Sequence, residues 1–227
     1  NKERGEAKAK ELSKHGQAIF LSVDALDQKG LEQAEQRVEK ELGPTTILVN
    51  AAGGNQSAAV VTPENPMTTL ALSAWKENFD LNLVGGALLP CQIFGAGMIK
   101  RKKGSIINIA SVSAHIPLSK VVAYSAAKAA VISLSQFLAR EWAPYGVRVN
   151  TLTPGFFPAE QNRKLLFKDD GTPTDRAKSI MGHTPMGRFG EPNELIGAAV
   201  FLASSKASGF VTGIDLRVDG GFLSQTI

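Results

Sequence analysis

The sequence predicts an α/β fold, a doubly wound parallel sheet with helices on both faces. Three observations carry that prediction. Helix-like and strand-like segments alternate along all 227 residues, the pattern of a parallel sheet covered on both sides. Strand-like runs such as Thr46–Asn50 and Ser105–Ala110 are short and largely apolar. Gly and Pro punctuate the pattern, with Gly43-Pro44 stopping a helix and Pro154-Gly155 closing a strand.

Glu3–Ser13 is helix-like, and Ile19–Val23 reads as a buried strand. Leu31, Ala34, Val38 and Leu42 recur at helical spacing up to the Gly43-Pro44 stop. After the strand Thr46–Asn50, Ser73 is placed to cap a long helix that carries Asn82 and runs, bent at Gly85-Gly86 and Pro90, towards Lys100. The strand Ser105–Ala110, a helix from Tyr124 to Trp142 and the strand Val147–Thr153 follow. A longer excursion, Phe156 to Pro192, precedes a helix near Asn193–Ala203 and a last strand near Ile214–Val218. With no repeat, linker or low-complexity tract, residues 1–227 read as one domain.

Composition narrows the class. A hydrophobic share of 43% supports a proper core. No uninterrupted apolar run approaches the roughly 20 residues of a membrane span, so no membrane partner is expected. Cys91 is the one cysteine, which excludes an intramolecular disulfide framework and suits a reducing cytoplasm. The net charge is +4, and the 25 Lys and Arg are interspersed with 21 Asp and Glu. The basic run Lys100-Arg-Lys-Lys103 reads as a solvated turn, so nucleic acid is not an expected partner. His15, His115 and His183 lack metal-ligand spacing, and no catalytic metal is expected.

The chemistry concentrates between Ser111 and Lys128. Tyr124 follows Ser111 by thirteen positions, and Lys128 follows Tyr124 by four, at the start of an alanine-rich helix. That spacing puts phenol and ammonium one turn apart on one face. A free Tyr has a pKa of about 10 and is a poor acid or base at neutral pH. A cation at about 4 Å, in an effective dielectric of about 20, supplies roughly 4 kcal/mol, enough to bring it near 7. The Ser111 hydroxyl is placed to bond the same reacting oxygen.

Ser111, Tyr124 and Lys128 at this spacing resemble the short-chain dehydrogenase/reductase family. Further motifs in the same order extend the likeness over essentially the whole chain. Asn50-Ala51-Ala-Gly53 is similar to the family's Asn-Asn-Ala-Gly turn, and Asp80-Leu-Asn82 to its Asn-bearing helix. Pro154-Gly155 is similar to its strand-closing Pro-Gly, and Val218-Asp-Gly-Gly221 to its C-terminal signature. The resemblance implies a Rossmann-like NAD(P)-dependent oxidoreductase, usually homotetrameric, acting on a small carbonyl or alcohol.

It further implies that Tyr124 is the acid–base residue, that Lys128 tunes it and binds the nicotinamide ribose, and that Ser111 polarises the carbonyl. Ser113 rivals Ser111 for that part or faces the substrate. Asn82 would hold a water linking Lys128 to solvent. Asn50, Ala51, Gly53, Tyr124, Lys128, Pro154 and Gly155 would contact the cofactor, with Asp24 meeting the adenine or, alternatively, capping a helix. The family's carboxamide-binding Thr is replaced by Ala159. NAD and NADP both remain open.

The family's Thr-Gly-x-x-x-Gly-x-Gly phosphate turn does not occur in these residues. Without the strand that leads into it, neighbouring strands would be left with unpaired backbone groups. About forty residues are therefore expected to precede Asn1 in the natural protein, carrying that strand and turn.

The excursion 156–192 corresponds to a substrate lid. Asn55-Gln56, Glu160-Gln-Asn-Arg163 and His183-Thr-Pro-Met-Gly-Arg188 are similar to the family's sugar-acid branch of D-mannonate oxidoreductases and fructuronate reductases. Asn55, Ser113, His115 and Arg163 are the candidate substrate residues, with Arg163 either binding a carboxylate or lying on the lid surface. Gluconate 5-dehydrogenase and 3-oxoacyl-carrier reductase are neighbouring enzyme readings. A dinucleotide-binding sensor without turnover is the reading from another class.

Overall fold

The computed structural model describes residues 1–160 and 162–225. Their centre is a parallel sheet of four strands in the order β1-β2-β3-β4: Ile47–Asn50, Gly104–Ile109, Val147–Pro154 and Asp215–Val218. The register sets Asn50 beside Asn108, Ile109 beside Leu152 and Pro154 beside Val218. The carboxyl ends of the strands thus lie along one rim, where open α/β sheets bind ligands.

Both faces of the two central strands are covered, which is why β2 is almost continuously apolar. On one face Ile106, Val147 and Val149 join Cys91, Met98, Leu138 and Ala139 in a buried cluster. Cys91 and Met98 come from α4 (Leu89–Arg101), and Leu138 and Ala139 from α5 (Val122–Trp142). On the other face Ile107 and Leu152 pack with Leu202 of α8 (Ile196–Ala203). Gly95 of α4 makes close approach possible, since a Cβ there would meet the Trp142 ring at 2.8 Å.

The helix preceding β2 runs from Leu72 to Arg101 and changes its winding midway. It is α-helical as α3 (Leu72–Phe79), π-helical over Asp80–Leu88, and α-helical again as α4. The expected irregularity near Gly85-Gly86 is therefore a wider turn. Its cause is visible at Asn82, whose side-chain Nδ2 takes the Asn78 carbonyl at 2.9 Å. A side chain inserted into the backbone ladder is a recognised origin of such a turn. Ser73 does not cap this helix; Ala71 holds the cap position without a side-chain bond. Leu72–Arg101 and Val122–Tyr145 are long and apolar enough to cross a membrane, but both pack beside the sheet.

Ile19–Val23 departs from expectation. It lies between α1 (Lys2–Leu12) and α2 (Gln28–Leu42), but forms no strand among the described residues. Apolar side chains alone do not make a strand; a ladder partner must satisfy the backbone, and this run has none among the described residues. Phe20 lies against Gly5 of α1 instead. Leu31 and Ala34 of α2 are buried, whereas Leu42 is exposed.

The excursion after β3 carries α6 (Arg163–Leu166) and α7 (Asp175–His183), the latter capped by Thr174. Leu166, Ala177 and Ile180 seat it on Val112 and Phe222. The segment after β2 and the chain following β4 thereby share one apolar cluster with the excursion.

Candidate active site

Three side chains converge past the carboxyl end of β2. Ser111 continues the strand direction in extended conformation and caps the short turn Val112–Ala114. Its Oγ accepts from the Ser113 N–H at 3.2 Å and from the Ser113 hydroxyl at 3.0 Å. Ser113 is thus the residue that orients Ser111. Because α5 begins at Val122, Tyr124 falls in its first turn and Lys128 one turn later. Lys128 is only 4% exposed. Its Nζ donates to the Ile109 carbonyl at 2.8 Å and sits 5.7 Å from the centre of the Tyr124 ring.

The electrostatics correct one expectation. Tyr124 was expected to be lowered by its neighbouring cation, but burial dominates and pushes the phenol above its ordinary value, with the Ser111 side chain acting in the opposite sense. Burial also brings Lys128 down to about 8. At pH 7 the lysine remains mostly protonated, so the site holds a neutral phenol beside a buried cation that has used one of its three N–H donors among the described residues.

Asn82 is fully buried on the π-helical turn and clamps the loop after β1. Its Oδ1 accepts from the Gly54 N–H at 2.9 Å, and its Nδ2 donates to the Gly54 carbonyl at 2.9 Å. Nδ2 also meets Asn78, leaving this amide with no spare donor. Gly53 lies beside it with φ of +147°, a conformation that favours glycine. A Cβ at Gly53 would stand 2.7 Å from Asn82 Oδ1 and 3.3 Å from Lys128 Nζ. Asn82, Gly53 and Lys128 therefore occupy one small volume.

Asn50 points into the sheet. Its Nδ2 donates to Asn108 Oδ1 at 2.8 Å, and Asn108 Nδ2 donates to Ser135 Oγ of α5 at 2.8 Å. This buried chain ties the end of β1 to the helix that bears Tyr124 and Lys128. Ala51 and Gly53 are exposed, as is Asn55. Gly155 closes against Asp219, where a Cβ would come within 2.7 Å of its Cα, and its N–H bonds the Val218 carbonyl. Pro154 ends β3 beside Val218.

The remaining candidates lie farther apart. Asp24 is exposed and its carboxylate accepts from the Leu26 N–H, so it shapes the turn before α2 rather than capping the helix. Arg163 is exposed on α6 over the Phe167 ring. His115 turns its Nε2 towards Asp215 of β4, 2.9 Å away. A separate cavity of about 390 Å³ between the excursion and the end of β4 is lined by Phe156, Phe157, Arg188 and Arg217, and contains none of the Ser111, Tyr124 and Lys128 group. Among the described residues no cluster of three or more His, Cys, Asp or Glu could hold a metal.

Sequence reasoning missed Gly54, Asn78, Asn108, Ser135 and Asp215. Asn108 alone left a readable signal: an Asn inside Ile-Ile-Asn-Ile must find a buried partner.

A family model described as Enoyl-(Acyl carrier protein) reductase matches residues 1–223. An uncharacterized oxidoreductase of Bacillus subtilis (strain 168) is 40% identical over 99% of this chain and 84% of its own length. The chain belongs to the short-chain dehydrogenase/reductase family. Its relatives are named oxidoreductases and dehydrogenases, and solved relatives hold NAD or NADP, which makes the chain an NAD(P)-dependent oxidoreductase of this family. Among solved short-chain dehydrogenase/reductase structures, one from Haemophilus influenza, bearing the name D-mannonate oxidoreductase and holding NAD, superposes with a TM-score of 0.93 at 38% identity, covering 100% of this chain and 84% of that one. A gluconate 5-dehydrogenase from Burkholderia cenocepacia J2315, in complex with NADP and tartrate, gives 0.86 at 33% identity with the same coverages.

The residues present fit the nicotinamide end of such a cofactor. Lys128 keeps two N–H donors beside the exposed Ala51–Gly53 backbone, the donor set that ribose hydroxyls require. The phosphate-binding turn is not among residues 1–227, so the fit extends to the nicotinamide and its ribose.

Proposed function

We propose that this short-chain dehydrogenase/reductase interconverts a ketone and a secondary alcohol on a sugar acid, with NAD or NADP. The observation that carries the reading is the convergence of Ser111, Tyr124 and the buried Lys128 at the end of β2. When bound, the nicotinamide supplies or accepts the hydride at the carbonyl carbon. Lys128 would hold the nicotinamide ribose, with Ala51, Gly53, Pro154 and Gly155 forming the adjoining wall.

Proton movement belongs to the chain. Tyr124, kept neutral by burial, gives its hydroxyl proton to the substrate oxygen as the carbonyl becomes an alcohol. Ser111, oriented by Ser113, donates to the same oxygen and favours its developing negative charge. Lys128 stabilises the phenolate left behind, which lets the proton return from solvent. Asn82 holds the Gly54 peptide and so keeps Gly53 against Lys128. In the reverse direction Tyr124 acts as base.

The substrate class rests on two supports. Relatives include the 2-dehydro-3-deoxy-D-gluconate 5-dehydrogenase of Formosa agariphila, 35% identical over 94% of this chain and 76% of its own length. The lid residue Arg163 is exposed with no acidic partner among the described residues, as a carboxylate-binding Arg would be. The D-mannonate and fructuronate pair is the first choice within the class. Gluconate 5-dehydrogenation is the second, favoured by the solved relative with NADP and tartrate. A homotetramer is the proposed assembly, with the Asn82-bearing helix Leu72–Arg101 and α5 facing their mates.

A panel of fructuronate, 5-keto-gluconate and a 3-oxoacyl thioester, each assayed with NADH and NADPH, tests the reading. At least tenfold higher kcat/KM on a sugar acid is expected. A preference for the thioester would replace the substrate class, and cofactor binding without turnover of any carbonyl would favour a sensor.

A further inference from the structure

Asp215 is a carboxylate placed where carboxylates are costly. It lies in β4, with its side chain only 12% exposed. Its Oδ1 accepts from the hydroxyls of Thr151 at 2.6 Å and Thr153 at 2.5 Å, both on the neighbouring β3. The strand pairing sets Thr151 directly opposite Asp215 and fixes this arrangement to the sheet. Its Oδ2 is buried and meets no well-aligned hydrogen-bond donor within the described residues. A buried acceptor in that condition calls for a partner.

Two groups reach it. His115 Nε2 stands 2.9 Å away, and the half-exposed Arg217 guanidinium 3.7 Å away. His115 is the nearer and the better buried, with 22% of its side chain exposed. It also closes the Val112–Ala114 turn, its own N–H bonding the Val112 carbonyl. That same turn opens with Ser111 as its cap and holds Ser113 against Ser111 Oγ. The turn is thus tied at its start to the proposed site and at its end to the edge of the sheet.

We propose that His115 and Asp215 form a latch that docks the Ser111 turn onto β4, making both of them positioning residues for the Ser111 hydroxyl. His115 acts through its imidazole N–H and Asp215 through Oδ2, and neither touches the reacting atoms. The consequence falls on the transition state, in which Ser111 must meet the substrate oxygen within hydrogen-bond reach; a displacement of about 1 Å at such a contact costs up to a hundredfold in rate. Neither residue is among the proposed cofactor contacts Lys128, Ala51, Gly53, Pro154 and Gly155, so cofactor binding is expected to be little changed. The latch rests on the proposed role of Ser111, and the test separates the two.

The experiment is a double-mutant cycle on the holoenzyme, with the best sugar-acid substrate of the panel. His115→Phe keeps the ring volume and removes the N–H. It is expected to lower kcat at least tenfold with the KM for the cofactor unchanged, whereas His115→Gln, which retains an N–H donor, recovers most of the loss. Asp215→Asn should match His115→Phe, and the pair together should lose no more than either alone. In a Ser111→Ala background His115→Phe should have no further effect. A full tenfold loss persisting in that background overturns the latch while leaving the Ser111 reading intact; unchanged turnover in Ser111→Ala alone overturns the Ser111 role. Amide exchange at Ser113 and Ala114 provides a readout free of substrate. Faster exchange in His115→Phe at unchanged melting temperature supports the latch, and unchanged exchange contradicts it.

Discussion

Ile106–Ile109 and Ile19–Val23 are similar stretches of sequence with opposite fates. Both are short, apolar and rich in β-branched or aromatic residues. The first is a central strand, hydrogen-bonded to β1 and β3 and buried on both faces. The second finds no ladder among the described residues and rests Phe20 on Gly5. Strand character therefore lies in the neighbours as much as in the residues. The same contrast governs the site: Ser111 and Lys128, at the end of β2, are held by its turn and its last carbonyl, while Asp24 beyond Ile19–Val23 is exposed and meets only its own turn.

That comparison can be broken experimentally. The largest expected effect is in hydrogen exchange. Amides of Ile106–Ile109 should exchange at least about 10⁴-fold more slowly than those of Ile19–Val23, because core strands open only near global unfolding. Equal protection would mean that Ile19–Val23 is paired after all.

Next is Tyr124→Phe, expected to lower kcat by about 10³-fold, within the range of a lost general acid, with cofactor affinity changed less than twofold. Phe20→Ala, in the unpaired run, should leave kcat within about twofold, as suits a side chain remote from the reacting atoms. Steady-state kinetics and cofactor titration check both.

Lys128 gives a smaller signal with a definite sign. Its value falls from 10.5 to about 8 in the folded protein. The unfolded chain therefore binds more protons in that window, and stability should rise as pH increases from 8 to 10.5, by about 3 kcal/mol at most. Lys128→Met should abolish the rise and, at pH 7, stabilise the fold by about 2 kcal/mol while ending turnover. Urea titrations across this pH range measure it. A fall in stability over the same range would show that the ammonium is not desolvated.

The smallest effect is at Cys91. Burial pushes its thiol up to about 12, so native protein at pH 8 should react with a thiol reagent at least about 100-fold more slowly than unfolded protein.

Much of the fold was legible because alternation, turn residues and apolar runs act locally. The positions of β2, β3 and α5 follow from such signals, as does the helical stop at Gly43, whose φ is +87°. The spacing of Ser111, Tyr124 and Lys128 likewise placed them on adjoining elements. What stayed hidden depends on contacts distant in sequence. The π-helical turn arises when Asn82 takes the Asn78 carbonyl and grips Gly54, which no periodicity reveals. The direction of the Tyr124 shift required knowing how deeply the fold buries this phenol. His115 and Asp215 are a hundred positions apart in sequence and 2.9 Å apart in space.

Hydride transfer coupled to a proton from Tyr124 is best tested with reduced cofactor carrying deuterium at both C4 positions of the nicotinamide, so that transfer from either face labels the product. Wild-type protein with fructuronate or 5-keto-gluconate should yield an alcohol one mass unit heavier, with deuterium on the carbinol carbon, and Tyr124→Phe should yield almost none. An alcohol without deuterium, or equal labelling by the Phe variant, would contradict it.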